Sequence, residues 1–358
     1  MCARKVYRAI GLMSGTVLDG EIDVALLETD GYGFVRPLRY MAYPYDYEVR
    51  EAVRACFGKI EPDEQTRIAE ELVTRAHVEA VQALGEKVDV IGFHGQTITH
   101  NPQARFTWQL GDGARLAKET GIDCVYDMRK ADVLAGGQGA PLLPLYHRAL
   151  LEEHEKPVAV LNIGGVANLT YIGSDDPADI MAFDTGPGNA MMDDFMRLRT
   201  GFPYDRDGVL ASRGRVVEHV VEKFMKHAYF SKTPPKSLDR NQWSIDCVRY
   251  TSDEDGMATL LEMSVRSIIR AVKSLPRPPE VIYAAGGGRH NSYLMGLLAS
   301  SLSMEVVSID ALGWNGDATE AEGFAYLAVR SLLGEVLSLP TTTGVPQAIS
   351  GGVLAEAK

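Results

Sequence analysis

One order of elements recurs twice along these 358 residues, and it leaves few folds open. β-rich runs at 6–13 and 22–28 flank a glycine-bearing turn, S-G-T-V-L-D-G, and 34–42 supplies a third strand. A helix over 61–84 follows, with Ile68, Leu72, Ala76, Ala80 and Leu84 on one face. A short strand over 88–93 then runs into H-G-Q-T. The second half repeats the order. Residues 158–163 enter Gly164 and Gly165, strands over 168–172 and 180–183 follow, and a helix over 257–274 precedes a strand over 281–285 that ends in G-G-G-R-H-N. Any α/β chain alternates, but an offset of about 150 residues between two such series is what a duplicated α/β domain requires.

Length permits two domains of ordinary size. Apolar residues at 46% and charged residues at 23% are those of a soluble globular protein. The 35 glycines cluster at strand ends, where ligand loops sit in α/β proteins. A net charge of −12 argues against a nucleic-acid or anionic-membrane surface. Cys2, Cys56, Cys124 and Cys247 have no zinc or redox spacing, which fits thiols in a reducing compartment. Neither a signal peptide nor an apolar run long enough to span a membrane is present, so a cytoplasmic location is expected.

The chemistry concentrates in I-M-A-F-D-T-G-P-G-N, where an apolar strand delivers Asp184 into a glycine-rich turn and Asn189 opens a helix. An isolated D-T-G is more often a helix cap. Beside backbone N–H groups that face an anion, however, such a carboxylate suits a general base next to a phosphate. Three further turns fall at equivalent points of the two repeats: S-G-T-V-L-D-G, N-I-G-G-V-A-N and A-A-G-G-G-R-H-N. The first could cradle terminal phosphates, with Asp19 on a hydrated Mg²⁺; the last suits close approach of a nucleoside. His94 and His100 lack a third metal ligand nearby and read as structural or sugar-positioning. Asp193 and Asp194 follow on the helix after the Asp184 turn, with one of them solvating an exposed face.

The ordered set I-G-L-M-S-G-T, L-D-G, H-G-Q-T-I-T-H-N-P, G-G-Q-G-A-P-L-L-P-L-Y-H, N-I-G-G-V-A-N-L-T-Y-I, F-D-T-G-P-G-N-A, A-G-G-G-R-H-N and F-A-Y-L-A resembles the anhydro-N-acetylmuramic acid kinases, from about residue 9 to residue 345. That family lies within the actin, Hsp70 and sugar-kinase superfamily. The resemblance implies two related RNase H-like α/β domains around a central nucleotide cleft. Residues 1–132 plus 336–358 would form one domain and 133–335 the other, with hinges near 130–140 and 310–340 and a domain closure on substrates. It implies ATP and Mg²⁺, and an activity that opens the 1,6-anhydro bridge with water while phosphorylating O6, in cell-wall recycling.

By the same resemblance, Asp184 is the base for the water. Ser14, Gly15, Thr16, Asp19 and Gly20 fall at the terminal phosphates, with Asp19 toward the metal. Gly164 and Gly165 form a second phosphate loop; Gly286, Gly287 and Gly288 form an adenosine loop, with Asn291 near the base. Gln96, Thr97, Arg129, Asp132 and Glu320 fall at the sugar. Arg129 suits a lactyl carboxylate, although an ion pair with Asp127 or Asp132 would also explain it, and Glu320 would also suit a solvated helix start. A homodimer is implied.

The chain departs from the family pattern at Val17, where a second hydroxyl is usual, and at G-E-I-D (20–23), one residue longer before the second strand, so that a bulge is expected. P-P-K-S-L-D-R-N-Q-W (234–243) also differs, and neither change is expected to touch Asp184. Two alternatives stand beside the main reading: a kinase of another anhydro sugar such as levoglucosan, and a weakly active nucleotide-binding regulator.

Overall fold

A computed structural model describes residues 4–15, 18, 20–238 and 242–358. In chain order the strands are β1 Tyr7–Met13, β2 Glu21–Thr29, β3 Val35–Pro44, β4 Val90–Phe93, β5 Gln96–Asn101, β6 Phe106–Leu110, β7 Cys124–Tyr126, β8 Val158–Ile163, β9 Val166–Ile172, β10 Ile180–Pro187, β11 Val281–Ala285, β12 Glu305–Ser308 and β13 Val353–Ala355. They fall into two compact units, Met1–Glu152 with Ala318–Lys358, and Glu153–Asp317.

Unit 1 carries a sheet of order β13-β7-β4-β1-β2-β3 and unit 2 one of order β10-β9-β8-β11-β12. In each, three strands form an antiparallel meander, and two more lie parallel to the first of the three. The duplication read from the sequence is therefore one of topology, and the fold is the two-domain α/β ATPase type. Parallel neighbours need crossovers. The helix Glu64–Leu84 supplies one between β3 and β4, with Asp63 and Thr66 closing a capping box and Gly85 turning left-handed at its end. That cap moves the helix start from 61 to 64. Central strands read as continuous apolar runs because both faces are covered; β4 is buried at every position. Ile68, expected on the inner face of the long helix, is half exposed, whereas Leu72, Ala76, Ala80 and Leu84 are buried.

The unit boundaries fall at 152/153 and 317/318, against an expected 132/133 and 335/336, and the reason is packing. The helix Thr319–Leu332 lies directly on the unit 1 sheet. A Cβ on Gly11 would stand 1.7 Å from the Ala321 carbonyl oxygen, and one on Gly92 2.1 Å from that of Phe324. Only glycine admits a helix backbone this close. This helix is buried nearly all round, with Glu320 half-buried. The helix Pro144–Leu150 joins the same unit, with the Tyr146 hydroxyl donating to Glu322.

The longer G-E-I-D segment makes no bulge between β1 and β2, whose pairing runs unbroken from Tyr7–Thr29 to Met13–Asp23. Ahead of β2, Leu18 has φ 54° and Gly20 φ 103°. Residues after 339 form a short helix Pro340–Thr343 and then β13 at the sheet's edge.

Candidate active site

Asp184 sits where β10 departs from regular pairing. It faces Asn168 on β9, Gly186 faces Ala167, and Thr185 is the extra residue of the bulge. Bulges re-aim side chains at sheet rims. Asp184 is 8% exposed and held at three points. Its N–H donates to the Lys236 carbonyl at 3.0 Å, its Oδ2 accepts from the Leu238 N–H at 2.6 Å, and its carbonyl accepts from the Tyr229 hydroxyl. It does not cap the following helix, Ala190–Thr200, whose cap residue is Asn189. The Asn189 side chain reaches instead to the Ile163 carbonyl at 3.1 Å. Asp194 is exposed and pairs with Arg197 at 3.0 Å, while Asp193 is half-buried.

The segment 234–243 was expected to leave Asp184 alone, and this is corrected: Lys236 and Leu238 both bond it. Lys236 also lies over the Tyr229 ring, 4.6 Å from its centroid. Burial, with Arg270 and Lys232, lowers the ammonium's pKa. Burial and the neighbouring Asp184 raise that of the Tyr229 phenol. Tyr229 escaped the sequence reading because nothing in its local pattern links it to a turn 45 residues earlier.

The glycine turns of unit 2 converge. Gly188 N–H and Ala190 N–H donate to the Gly165 carbonyl, and Asn189 N–H donates to that of Gly164 at 2.7 Å. Packing explains some of these glycines: a Cβ on Gly188 would stand 2.2 Å from Gly164 O, and one on Gly288 2.3 Å from Ile163 Cγ2. Gly286 combines φ 74° with a Cβ site 2.3 Å from Asn162 Oδ1. Packing does not explain Gly164, Gly165 and Gly287, whose Cβ sites meet nothing nearer than 3.5, 3.6 and 3.9 Å among the described residues. A bare backbone with room above it is what an approaching phosphate or ribose needs.

Just beyond these glycines stands Arg289, which the sequence reading passed over. Its side chain is 2% exposed and bonds Asp310 Oδ2 at 2.8 Å, Asp317 Oδ1 at 2.6 Å and the Gly286 carbonyl at 3.1 Å. Burial opposes ionisation of Asp310, but Arg289, Ser308 and the Gly316 N–H outweigh it and hold the pKa at about 2. Asn291 caps the helix Ser292–Ser301, its Oδ1 accepting from Leu294 N–H at 3.0 Å. That cap accounts for its side-chain oxygen.

In unit 1, Gln96 is buried and donates to the Gly15 carbonyl at 3.2 Å, tying β5 to the first glycine turn. Thr97 accepts from Gln109 at 3.2 Å. Ser14 is 1% exposed, and its hydroxyl finds no partner among the described residues. The Gly20 carbonyl accepts from Tyr45 N–H at 2.8 Å. Thr16, Val17 and Asp19 lie outside the described residues. Arg129 donates to His94 Nε2 at 3.0 Å and to the Gly139 carbonyl at 2.8 Å, while Asp127 pairs with Lys130. Burial and the guanidinium push the His94 pKa well below its usual value, so the ring is neutral. His100 is structural, bridging Thr107 and the Gln138 carbonyl. Asp132 is 2% exposed and accepts from Gly139 N–H, Ser338 and Thr343. This corrects the expectation that its carboxylate faces the sugar.

The pattern of the anhydro-N-acetylmuramic acid kinases matches residues 7–357. The chain belongs to that family. It is 50% identical to the anhydro-N-acetylmuramic acid kinase of Rhizorhabdus wittichii, over 96% of this chain and 98% of the relative. The homologue from Zymomonas mobilis is equally similar, with the same coverage of each chain. Among solved structures, the activator of 2-hydroxyisocaproyl-CoA dehydratase from Clostridium difficile with bound ADPNP has a TM-score of 0.45 at 13% identity, over 90% of this chain and 94% of its own. A ROK family glucokinase from Streptomyces griseus in complex with glucose and AMPPNP has a TM-score of 0.39 at 11% identity, over 90% and 99%. As a member of this kinase family the chain is a phosphotransferase.

Proposed function

We propose that the enzyme opens 1,6-anhydro-N-acetylmuramic acid with water and phosphorylates O6 at the expense of ATP, in cell-wall recycling. The observation that carries this reading is the anchoring of Asp184. An aspartate whose backbone is tied at N–H and carbonyl and whose carboxylate accepts from Leu238 N–H, beside a bulge and just before the glycine-rich 186–188 turn, suits a positioned base. Asp184 takes a proton from the water that attacks C1. The nucleotide supplies the phosphoryl group that O6 accepts as the C1–O6 bond breaks, so no second carboxylate is needed to protonate the leaving oxygen.

Gly164, Gly165 and Gly287 suit phosphates and ribose because their backbones are open, and Gly286 and Gly288 shape that loop. The Ser14 hydroxyl, without a partner among the described residues, suits the terminal-phosphate end, together with Gly15, Thr16 and Gly20. Mg²⁺ is assigned with the ATP, and Asp19 toward it. Such an ion would keep most of its waters and bridge the phosphates, so a single carboxylate from the chain suffices for it. Gln96, Thr97, Arg129 and Glu320 are assigned to the sugar, and Arg129 to its lactyl carboxylate. A cytoplasmic homodimer follows from the family resemblance; sedimentation tests the dimer.

The test of function is a product assay with ATP, Mg²⁺ and the anhydro sugar, read by mass. Product that has gained both water and phosphate is expected. Phosphate without water would overturn the role of Asp184, and turnover of levoglucosan alone would overturn the substrate.

A further inference from the structure

We infer that Asp132, Ser338 and Thr343 form a brace that aims Arg129, and that this brace sets the preference for a sugar carrying a carboxylate. The inference rests on the assignment of Arg129 to the lactyl group. Asp132 is 2% exposed, Ser338 2% and Thr343 0%, so the cluster is sealed from water. Asp132 Oδ1 accepts from Gly139 N–H at 2.6 Å, and Oδ2 accepts from the Ser338 and Thr343 hydroxyls, both at 2.5 Å. A buried carboxylate needs such donors. Here they come from two places: the 137–139 turn and the segment that leads into and forms the Pro340–Thr343 helix.

The turn is fixed from other sides as well. Gln138 N–H donates to the Thr343 carbonyl at 2.7 Å, and the Gln138 carbonyl meets His100 Nε2 at 2.9 Å. Gly139 has φ 66°, and a Cβ there would stand 2.5 Å from Val133 Cγ2 and 3.0 Å from His100 Cε1. A Cβ on Gly137 would stand 2.2 Å from Asp132 Oδ1. What this construction presents is the Gly139 carbonyl, which receives Arg129 Nη1 at 2.8 Å, while His94 receives Nε at 3.0 Å. Two anchors on different nitrogens fix the plane of a guanidinium. Carboxylate recognition depends on that plane. Asp132, Ser338 and Thr343 are therefore positioning residues: they act through Gly139 and Arg129.

The experiment compares 1,6-anhydro-N-acetylmuramic acid with 1,6-anhydro-N-acetylglucosamine, which has the same ring and bridge without the lactyl group. Thr343→Val removes one donor at nearly constant volume. It is expected to raise KM for the carboxylate sugar about tenfold. KM for ATP and kcat/KM for the lactyl-free sugar should stay unchanged, and Thr343→Ser should restore the parent behaviour. Ser338→Ala gives the same split and carries the test if Thr343→Val fails to fold. A variant that weakens both sugars equally, or raises KM for ATP, would overturn the brace and leave only a structural role. A parent enzyme that does not distinguish the two sugars would overturn the Arg129 assignment itself.

Discussion

Counting back from the strand ends, the central sheet pair of unit 1 is Gly11 beside Gly92, and that of unit 2 is Leu161 beside Ala284. The glycines bring a helix backbone onto the sheet, whereas Leu161 and Ala284 bury their own side chains. The contrast extends to polar groups. Unit 1 buries His77, His94 and His147 together with Glu322. The third strands differ as well: β10 carries the buried Asp184 near its end, while β3 leads to exposed Asp46 at the start of the helix Tyr47–Arg54. A shared strand order thus fixes where a carboxylate can appear. What packs on the strand end decides how that carboxylate is buried and held.

Acid should break the likeness between the units most strongly. Burial lowers the pKa of His77 to about 4 and of His147 to about 3, and burial with Arg129 lowers that of His94. Between those values and about 6.5, the unfolded chain binds protons that the folded chain does not, so these groups lose stability as pH falls. Glu322 acts oppositely: burial raises it to about 7, so the folded chain holds its proton between about 4.5 and 7. Burial raises the Glu70 carboxyl too, so three imidazoles stand against two carboxyls and the net slope is about 1–3 kcal/mol per pH unit across roughly pH 4.5–6. Unit 2 has His154, lowered by partial burial and Lys156. Thermal unfolding between pH 6 and 4.5 should therefore shift Trp108 fluorescence in a Trp243→Phe/Trp314→Phe protein more than it shifts Trp243 and Trp314 in Trp108→Phe. Equal shifts would defeat the comparison.

Asp184→Asn sharpens it at the two strand ends. With Asp184 as the proposed base, its loss should lower kcat about 10³-fold, roughly 4 kcal/mol. Asp46→Asn, at the matching strand end of unit 1, should leave kcat and KM unchanged. Steady-state assays of both variants decide it; a comparable loss in each would show that the strand end itself, rather than its packing, matters.

Within unit 2 the glycines divide by what surrounds them. Gly188→Ala drives a methyl into the Gly164 carbonyl and should cost about 1–3 kcal/mol, as overpacking does. Gly164→Ala meets no such atom, so its melting temperature should hold while KM for ATP rises. Denaturant melts beside ATP titrations separate the two; a stable Gly188→Ala with unchanged kinetics would contradict the packing account.

The fold was legible because its strands announce themselves as apolar runs ending in glycine. The edges of the reading failed where tertiary contacts decide. Ile68 fits the helical period yet is half exposed, because the buried stripe at this end of the helix runs through Thr66, Ala69, Leu72 and Val73 and leaves it at the edge. Residues 318–335 were assigned to the wrong unit because nothing local says that Gly11 and Gly92 leave room for Ala321 and Phe324. At the site, the glycine turns and Asp184 were visible as patterns in single segments. Asp132 was misread because its partners lie more than 200 residues away at Ser338 and Thr343. Tyr229 and Leu238 were missed for the same reason, since hydrogen bonds over long sequence distances leave no periodicity.

Tyr229→Phe probes the smallest of these effects and the most local. The hydroxyl bonds the Asp184 carbonyl, not the carboxylate, so its loss leaves the carboxylate in place but removes one of the three anchors described above. The ring stays packed near Trp243, 6.0 Å between centroids, so little cavity forms. The expected loss is about 1 kcal/mol, a kcat reduced roughly fivefold with KM for ATP unchanged. A fall as deep as that of Asp184→Asn would mean that the Asp184 carboxylate depends on this one anchor; no fall at all would mean that Leu238 and Lys236 hold it unaided. Between those limits, a modest loss in kcat alone is the signature of a base positioned by what packs upon its strand.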